Sequence, residues 1–341
     1  MTQVNLFSDT QTRPTAAMRE AMARAEVGDE QRFEDPTVNA LCERVAKLLG
    51  FEAAVFLPTG TMCNVIAFRL HLRPGGDAVL LHRESHPVRF EAAQPAVFSG
   101  AHSELLDGPG GMFDAATLSG ALSRPGDRYG PRSRLVAVEQ TTNIPGGRIW
   151  PLQQLRDVVA VAQDRELRLH LDGARLLNAV VASGVPAGEW TRGFDTAWID
   201  FTKGLGAPVG ACLAGSRTLI DEAWRYKQML GGAMRQAGIV AAGALYALDC
   251  HVDRLAEDHA NARLLAQALA EIPSVGLDVG TVETNIVVFS VPDAFGFCET
   301  LAEHGVVMNP LGPDRVRVVT HLDVSEDDVR LAAEVAATVL A

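Results

Sequence analysis

The stretch that decides the fold reads Asp200-Phe201-Thr202-Lys203-Gly204-Leu205-Gly206-Ala207-Pro208-Val209-Gly210. The apolar run at residues 196–201 predicts a buried strand that ends just before a lysine and a glycine-rich turn. The chain has only three lysines, and the other two, Lys47 and Lys227, lie in charge-rich stretches typical of helices. The apolar neighbours of Lys203 favour a desolvated amine, and its glycines allow a ring to approach the backbone closely. Lys203 is therefore the best candidate for a reactive amine.

A second dense segment, His170-Leu171-Asp172-Gly173-Ala174-Arg175, follows an apolar run at residues 167–171. A strand-end acid followed by a strand-end lysine suits a pyridoxal phosphate (PLP) site, because the carboxylate keeps the pyridinium nitrogen protonated and the amine forms the Schiff base. Taken alone, Asp172 could instead cap the following helix. Arg175 could bind the ring hydroxyl or a substrate carboxylate with two hydrogen bonds.

Strands and helices alternate through the first three quarters of the chain. Apolar runs predict strands at residues 53–57, 78–81, 96–98, 135–138, 167–171 and 196–201. Helical patterns fall at 36–49, from about 62, at 151–163 and at 175–182. Short hydrophobic strands joined by helices predict an α/β fold with a largely parallel sheet covered on both faces.

The pattern changes near residue 236, where a long helical segment runs to 269. A smaller α+β unit follows, with strands at 285–291 and 315–320, a helix at 294–304 and a last helix from 325. We therefore expect a large domain at residues 1–240 and a connecting helix with a small C-terminal domain at 241–341.

Ligands of open parallel sheets bind beyond the carboxyl ends of the strands. Thr59-Gly60-Thr61, Asp172 and Lys203 all fall at such ends, so we expect one shared site. Gly60 and Thr61 would hold a phosphate at a helix N-terminus, although a single glycine there more often marks an ordinary turn.

Three further residues are candidates with alternatives. His82 and His86 are four residues apart, but the glutamate between them fits no zinc motif, so no metal is expected. His86 would instead stack on the cofactor ring or act as a base. Arg317 lies inside an apolar strand, where a substrate carboxylate would balance its charge. Its alternative is an edge-strand arginine that faces solvent.

The composition of the 341 residues is that of an ordinary globular protein, with 48% hydrophobic and 21% charged residues. The net charge of −12 argues against nucleic acid or an anionic membrane as a partner. The five cysteines form no CxxC pair, which favours reduced thiols and a cytoplasmic location. The first residues show no secretion signal, and no apolar run is long enough to span a bilayer.

Long motifs carry a resemblance to a known family. They read Ser8-Asp9-Thr10-Gln11-Thr12-Arg13-Pro14-Thr15, Glu34-Asp35-Pro36-Thr37-Val38-Asn39, Gly60-Thr61-Met62, Met234-Arg235-Gln236-Ala237-Gly238 and Val319-Thr320-His321-Leu322-Asp323-Val324, besides the two segments above. Together they resemble the low-specificity L-threonine aldolases, which belong to the fold type I PLP-dependent enzymes. The resemblance implies a large domain with a mostly parallel seven-stranded sheet and a smaller α+β C-terminal domain.

The resemblance also implies roles for individual residues. Lys203 would carry PLP, Asp172 would pair with its ring nitrogen and His86 would stack on the ring. The remaining cofactor contacts would come from Gly60, Thr61, Arg175, Thr202, Lys227 and Arg235, with Lys227 and Arg235 reaching the phosphate of a neighbouring chain. Ser8, Arg175 and Arg317 would bind the substrate carboxylate. A homotetramer built as a dimer of dimers is expected.

Two departures from the family pattern bear on the substrate. In Asp29-Glu30-Gln31-Arg32-Phe33-Glu34-Asp35-Pro36 the family has tyrosine at Arg32 and glycine at Phe33. In Glu139-Gln140-Thr141-Thr142-Asn143 the family has a histidine at Thr142, thought to contact the substrate's β-hydroxyl, so Thr142 would take that place beside the substrate. Arg32 would favour an acidic substrate such as 3-hydroxyaspartate; its alternative is a solvated side chain.

The expected reaction is the cleavage of an L-β-hydroxy-α-amino acid of the threonine type to glycine and an aldehyde. With Thr142 unable to accept a proton near neutral pH, His86 is the expected base. The alternatives are a PLP-dependent β-eliminating lyase or dehydratase, and a PLP- or amino-acid-binding protein without turnover.

Overall fold

A computed structural model describes residues 4–341; the N-terminal stretch considered for a secretion signal lies partly outside them, at residues 1–3. Twelve strands are formed within the described residues: β1 (Val4–Asn5), β2 (Ala53–Leu57), β3 (Asp77–His82), β4 (His102–Leu106), β5 (Arg132–Glu139), β6 (Arg168–Gly173), β7 (Thr196–Asp200), β8 (Ala211–Gly215), β9 (Ile286–Ser290), β10 (Val306–Val307), β11 (Asn309–Pro310) and β12 (Arg315–Val319).

The same residues form fourteen α-helices. They are α1 (Ala16–Ala23), α2 (Pro36–Leu49), α3 (Gly60–His71), α4 (His86–Arg89), α5 (Gln94–Ser99), α6 (Ala115–Ala121), α7 (Leu152–Asp164), α8 (Leu176–Ser183), α9 (Ala187–Trp190), α10 (Arg217–Met229), α11 (Gly238–Cys250), α12 (Leu255–Ala270), α13 (Ala294–Glu303) and α14 (Glu326–Leu340).

The central sheet has seven strands in the order β2-β8-β7-β6-β5-β3-β4. Neighbouring strands are parallel except for β8, which is antiparallel to both β2 and β7. Apolar side chains of α3 and α10 cover one face, and those of α2, α7, α8 and α11 cover the other. The prediction of a mostly parallel sheet covered on both faces is confirmed.

The predicted strand at residues 96–98 is wrong, because this apolar run lies in helix α5. Pro95 stands in the first turn of that helix, where a missing N–H costs nothing, and Gly100 ends it in the left-handed conformation. The sheet instead uses two strands that the pattern missed. Strand β4 is a partly exposed edge strand with polar residues, and β8 is buried but built mostly from small residues.

The long helical segment expected at 236–269 is two helices, α11 and α12, separated by a break between Cys250 and Leu255. Helix α11 packs its alanines into the core of the large sheet, whereas most buried residues of α12 face a second core. Within that second core, α12, α13 and α14 surround the antiparallel sheet β11-β12-β9. The domain boundary at 240/241 stays a prediction.

The N-terminal segment connects the two cores. Strand β1 pairs with β10 in parallel, and Val4 and Leu6 are buried in the second core. The next residues, Ser8 and Asp9, are buried as well. The chain therefore passes from the small unit across the carboxyl edge of the large sheet. No helix of the described residues is long and apolar enough to cross a membrane.

Candidate active site

A cleft of about 540 Å³ opens at the carboxyl ends of β5, β6 and β7. Its wall includes six of the residues predicted from sequence: Ser8, His86, Asp172, Arg175, Lys203 and Arg317. Residues from the N-terminal segment, the large sheet and the small unit thus meet in one place. Of the strand-end residues expected to share a site, Asp172 and Lys203 line this cleft, whereas Gly60 and Thr61 are not part of its wall.

Lys203 enters this cleft from the turn after β7, and its side chain is 17% exposed. Its Nζ lies 2.8 Å from Oδ2 of Asp200, an acid at the end of β7 that the sequence analysis did not single out. The Thr202 hydroxyl donates to the same carboxylate at 2.9 Å. Thr12 donates to the carbonyl of Lys203 at 2.9 Å, which ties the turn to the N-terminal segment. The amine is therefore held in one orientation by a single acid partner.

Asp172 ends β6, where it is 3% exposed. Its Oδ2 accepts a hydrogen bond from Nδ2 of Asn64 at 2.8 Å, and its Oδ1 accepts from the Ala174 N–H at 3.1 Å. Burial raises the pKa of Asp172, while the nearby His86 opposes that rise. The capping alternative does not hold, since the N-cap of α8 is Arg175 and no side chain caps that helix.

His86 begins the short helix α4, beside the cleft. Its Nδ1 lies 2.6 Å from Oε1 of the buried Glu91, and its Nε2 has no hydrogen-bond partner among residues 4–341. Burial alone lowers the pKa of His86, but the hydrogen bond to Glu91 and the charge of Asp172 raise it above the ordinary value. The imidazole is therefore fixed at Nδ1 and free at Nε2.

Glu139, at the end of β5, is a titratable group that the sequence analysis did not assign. It lines the cleft and accepts backbone N–H bonds from His86 at 2.7 Å and Asn143 at 2.5 Å. Burial, together with the charge of Asp172, raises its pKa to about 7. Glu139 can therefore exchange a proton in the neutral pH range.

Arg175 is already paired in the structure. Its Nε and one terminal nitrogen donate to the two carboxylate oxygens of Asp9 at 2.8 and 2.6 Å. Asn285 donates to Asp9 as well, at 3.1 Å. Burial by itself raises the pKa of Asp9, but Arg175 holds it far below the ordinary range. The two Arg175 nitrogens, which were expected to bind ligand, thus hold the N-terminal segment in place.

Arg317 lies on β12, the central strand of its sheet, and is 6% exposed. The edge-strand alternative is therefore wrong. One terminal nitrogen donates to Oδ1 of Asn143 at 2.7 Å, and the buried Nε has no partner among the described residues. Burial lowers the pKa of Arg317 to about 10, and within residues 4–341 no carboxylate lies at salt-bridge distance from it. This buried guanidinium lacks the anion that its charge requires.

Ser8 stands next to the paired Asp9 on the cleft wall. Its hydroxyl accepts from the N–H of Thr10 at 3.2 Å and from the Thr10 hydroxyl at 2.9 Å. These bonds fix the orientation of the Ser8 hydroxyl on the wall of the cleft.

The start of α3 brings the predicted phosphate residues close to Lys203. A Cβ on Gly60 would lie 2.3 Å from the ring of Trp198, and Nζ of Lys203 lies 5.8 Å from that ring's centroid. The N-cap Thr59 accepts from the Met62 N–H at 3.1 Å, so the N–H groups of Gly60 and Thr61 point out of the helix without an intrahelical acceptor. Such a pair of donors suits a phosphate.

Thr142 does not line the cleft, contrary to prediction. Its hydroxyl accepts from the Arg148 N–H at 3.2 Å, and its side chain packs beside Gly111. Its neighbours Thr141 and Asn143 line the cleft instead, and the buried Thr141 hydroxyl has no partner within the described residues.

Lys227 is also placed differently from the prediction. It is fully buried within its own chain, with Nζ 2.8 Å from Oε2 of Glu30 and 4.2 Å from the centroid of the Trp224 ring. Because burial and Glu30 fix this amine inside the subunit, it does not reach out to the phosphate of a neighbour. Arg235 is exposed and pairs with Asp29 at 2.9 Å, so its predicted contact with a neighbour is untested.

Arg32 lies outside the cleft of its own chain. Its side chain is 72% exposed and pairs with Glu34 at 2.9 Å, which agrees with the solvated alternative. Phe33 adopts a left-handed conformation with φ 59°, at the position where the family has glycine, and its ring packs edge-on against Trp224 with centroids 5.2 Å apart. His82 contacts the carbonyl oxygen of Gly108 at 3.2 Å.

The chain matches known proteins over most of its length. The model of the beta-eliminating lyase family matches residues 5–292. A low-specificity L-threonine aldolase from Escherichia coli is 40% identical over 98% of this chain and 97% of its own. Low-specificity L-threonine aldolase 1 from Arabidopsis thaliana is 37% identical over 96% and 94%.

Solved structures share the fold. The Leishmania major threonine aldolase superimposes with a TM-score of 0.84 at 22% identity, covering 99% of this chain and 100% of its own. A Sphingomonas wittichii serine palmitoyltransferase gives a TM-score of 0.76 at 19% identity, covering 99% and 87%. The architecture is that of the fold type I PLP-dependent enzymes. The chain belongs to the beta-eliminating lyase family and, within it, is similar to the low-specificity L-threonine aldolases.

Proposed function

We propose that this protein uses PLP to cleave an L-β-hydroxy-α-amino acid of the threonine type to glycine and an aldehyde. The observation that carries the proposal is the meeting of Lys203, Asp172 and the carboxylate-free Arg317 in one cleft. An amine, a buried acid and an unpaired guanidinium match the three polar parts of a PLP-bound amino acid. The names of the relatives support the same reaction.

The residues present fit PLP. Lys203 would supply the amine that holds the cofactor. Asp172, at the carboxyl edge of the sheet, would supply the carboxylate that pairs with the ring nitrogen. The outward N–H groups of Gly60 and Thr61 would bind the phosphate. When bound, PLP supplies an electron-withdrawing ring that accepts the electron pair of the breaking Cα–Cβ bond.

The substrate carboxylate would bind at Arg317, with the Ser8 hydroxyl beside it. Because Arg317 has no acid partner among residues 4–341 and Arg175 is already neutralised by Asp9, Arg317 would provide most of the attraction. A fixed carboxylate would restrict rotation about the Cα bonds and so influence whether the Cα–Cβ bond or the Cα–H bond breaks. The relatives' names support cleavage of the Cα–Cβ bond.

The β-hydroxyl proton would pass to Nε2 of His86, the ring nitrogen that has no hydrogen-bond partner within the described residues. Glu91 fixes the other nitrogen and stabilises the imidazolium that results. Glu139 is a second proton acceptor on the same wall. The acidic-substrate alternative loses its support from Arg32, which lies outside the cleft.

Assembly and location complete the proposal. We propose a homotetramer built as a dimer of dimers, which the exposure of Phe33 at 61% and Met229 at 73% supports. All five cysteines are unpaired, which supports a reducing, cytoplasmic compartment. Light scattering of the purified protein tests the assembly.

The activity test supplies L-threonine and L-allo-threonine to the PLP-loaded protein and identifies the products. Glycine and acetaldehyde are expected, and Lys203→Ala should abolish their formation. Lys47→Ala is the matched control, since Lys47 is exposed on α2 and should leave the rate unchanged. Ammonia with a 2-oxo acid would instead identify a β-eliminating lyase, and a loaded protein without turnover would identify a binding protein.

A further inference from the structure

A buried chain of hydrogen bonds leads away from Asp172 through the interior, on the side away from the cleft. Asn64 Nδ2 lies 2.8 Å from Asp172, and Asn64 Oδ1 lies 3.0 Å from Nε2 of His170. Nδ1 of His170 is 2.8 Å from the Thr196 hydroxyl, which is 3.0 Å from Nε2 of His71. Every member is at most 5% exposed.

The sheet and one helix create this alignment. His170 lies beside Thr196 in the pairing of β6 with β7, and Asp172 lies two residues along on the same face. Helix α3 covers that face and contributes Asn64 and His71, which are two turns apart. His71 lines a separate cleft of about 810 Å³, so the hydrogen-bond chain ends at the wall of that cleft.

The orientation of the Asn64 amide is determined by its neighbours. The Trp198 indole, which can only donate, lies 2.8 Å from Oδ1 of Asn64. The two N–H groups of Asn64 face carboxylate oxygens of Asp172 at 2.8 Å and Glu91 at 2.7 Å. A flipped amide would direct its oxygen at two acids and its N–H groups at donors. Only the observed orientation satisfies all the contacts.

The proton positions in the rest of the hydrogen-bond chain follow from the orientation of that amide. Because Asn64 Oδ1 only accepts, His170 must carry its proton on Nε2. Burial lowers the pKa of His170 to about 3, so its Nδ1 has no proton and accepts from the Thr196 hydroxyl. Having donated its single proton, the hydroxyl accepts from Nε2–H of His71. Burial also lowers the pKa of His71 to about 4, so that ring is neutral.

We propose that Thr196, His170 and His71 are positioning residues that fix Asn64 as a donor to Asp172 and thereby keep Asp172 ionised for the cofactor's ring nitrogen. All the hydrogen bonds point toward Asp172, and each donor is polarised by the one behind it. Asn64 Oδ1 selects the Nε2–H tautomer of His170, because a proton on Nδ1 would place two lone pairs, on Nε2 and on Oδ1, against each other. The Thr196 hydroxyl completes the arrangement by donating to Nδ1 of His170 and accepting from Nε2–H of His71.

The first test needs no cofactor. Nitrogen-15 NMR of histidine-labelled protein without PLP should show His170 as the neutral Nε2–H tautomer from pH 5 to 9. Thr196→Val keeps the shape and removes the hydroxyl, so His170 should keep the Nε2–H tautomer while the nitrogen-15 resonance of Nδ1 moves to that of a ring nitrogen without a hydrogen bond. A wild-type His170 that carries its proton on Nδ1, or that titrates in this range, overturns the proposal.

The second test measures the effect on the cofactor and rests on the proposed function. Thr196→Val should weaken PLP binding by up to about tenfold and lower kcat by a similar factor with KM unchanged, the upper end of the size expected for a hydrogen bond between neutral groups. Thr196→Ser restores the hydroxyl and should restore both values. Thr191→Val is the matched control, because it also removes a buried threonine hydroxyl, which bonds to the carbonyl oxygens of Leu49 and Ala187 at 2.6 and 3.4 Å and lies outside the hydrogen-bond chain.

The outcomes separate the two proposals. If wild-type protein does not bind PLP, the proposed function fails, while the NMR result still decides the tautomer. If wild-type protein binds PLP but Thr196→Val behaves as Thr191→Val does, or Thr196→Ser does not recover, the positioning role is refuted. If Thr196→Val does not fold, Thr196→Ser and the wild-type NMR spectrum still decide. PLP binding and kcat of Thr196→Ser near the wild-type values support the positioning role. A loss of PLP binding or kcat in Thr196→Ser refutes it.

Discussion

The buried pair of Asp9 and Arg175 gives the sharpest prediction for stability. Asp9→Asn keeps the shape of the side chain but removes its charge, which leaves the Arg175 guanidinium buried at 4% exposure near a second cation, Arg317. Removing one partner of a buried ion pair costs about 3–5 kcal/mol, because the other charge remains desolvated. We expect a loss of that size in the free energy of unfolding at pH 7.

The pH dependence of this loss has a definite sign. The pKa of Asp9 is lowered in the folded protein, so its contribution is present above its ordinary value near 3.8 and is lost as the pH falls below it. Wild type and Asp9→Asn should therefore differ most at neutral pH and converge in acid. Urea unfolding of the protein without PLP, followed by tryptophan fluorescence at several pH values, measures the difference.

Asp107→Asn is the matched control for this experiment. Asp107 forms the same bidentate ion pair with Arg83, but both side chains are exposed. Loss of this ion pair should therefore change the urea midpoint little. If Asp9→Asn shifts the midpoint no more than Asp107→Asn does, the buried pair does not stabilise the N-terminal segment and the reasoning fails.

Three further predictions test backbone, packing and titration. Phe33→Gly should be about 1 kcal/mol more stable to urea than Phe33→Ala, because only glycine adopts φ 59° without strain; equal stabilities would exclude strain. Gly60→Ala should lose PLP affinity, since its Cβ would lie 2.3 Å from the Trp198 ring, whereas Gly120→Ala, in a helix with open space, should bind PLP normally. Glu139→Gln should remove an inflection near pH 7 from the kcat/KM profile, and an unchanged profile would exclude Glu139 as the titrating group.

The parts of the fold that sequence could predict are those with a strong local pattern. Asp35 and Pro36 begin α2, and Gly50 ends it, as expected. Asp172 and Lys203 meet because parallel strands end at the same edge, a rule that needs no knowledge of distant contacts. The error at residues 96–98 has the opposite cause, since three apolar residues fit a strand and a helix equally well.

The remaining site residues could not be assigned because their roles depend on distant partners. Asp9 and Arg175 are separated by 166 positions, and Lys227 and Glu30 by 197. The spacing of charges along the chain gives no indication of either pairing. Asp200 is the exception, since it stands three residues before Lys203 at a strand end and could have been recognised.

The cations of this protein differ mainly in whether an acid has already neutralised them. Lys227 and Arg175 each have a buried carboxylate partner, and they hold the chain together. Arg317 is equally buried, but its partners among the described residues are two neutral oxygens, of the Asn143 amide and the Phe7 carbonyl, so folding leaves its charge uncompensated until an anion enters the cleft. A protein that desolvates a guanidinium in this way gives up stability without ligand and regains it on binding. A buried cation without an acid partner, such as Arg317, therefore identifies where a substrate carboxylate would bind, whereas the number of cations does not.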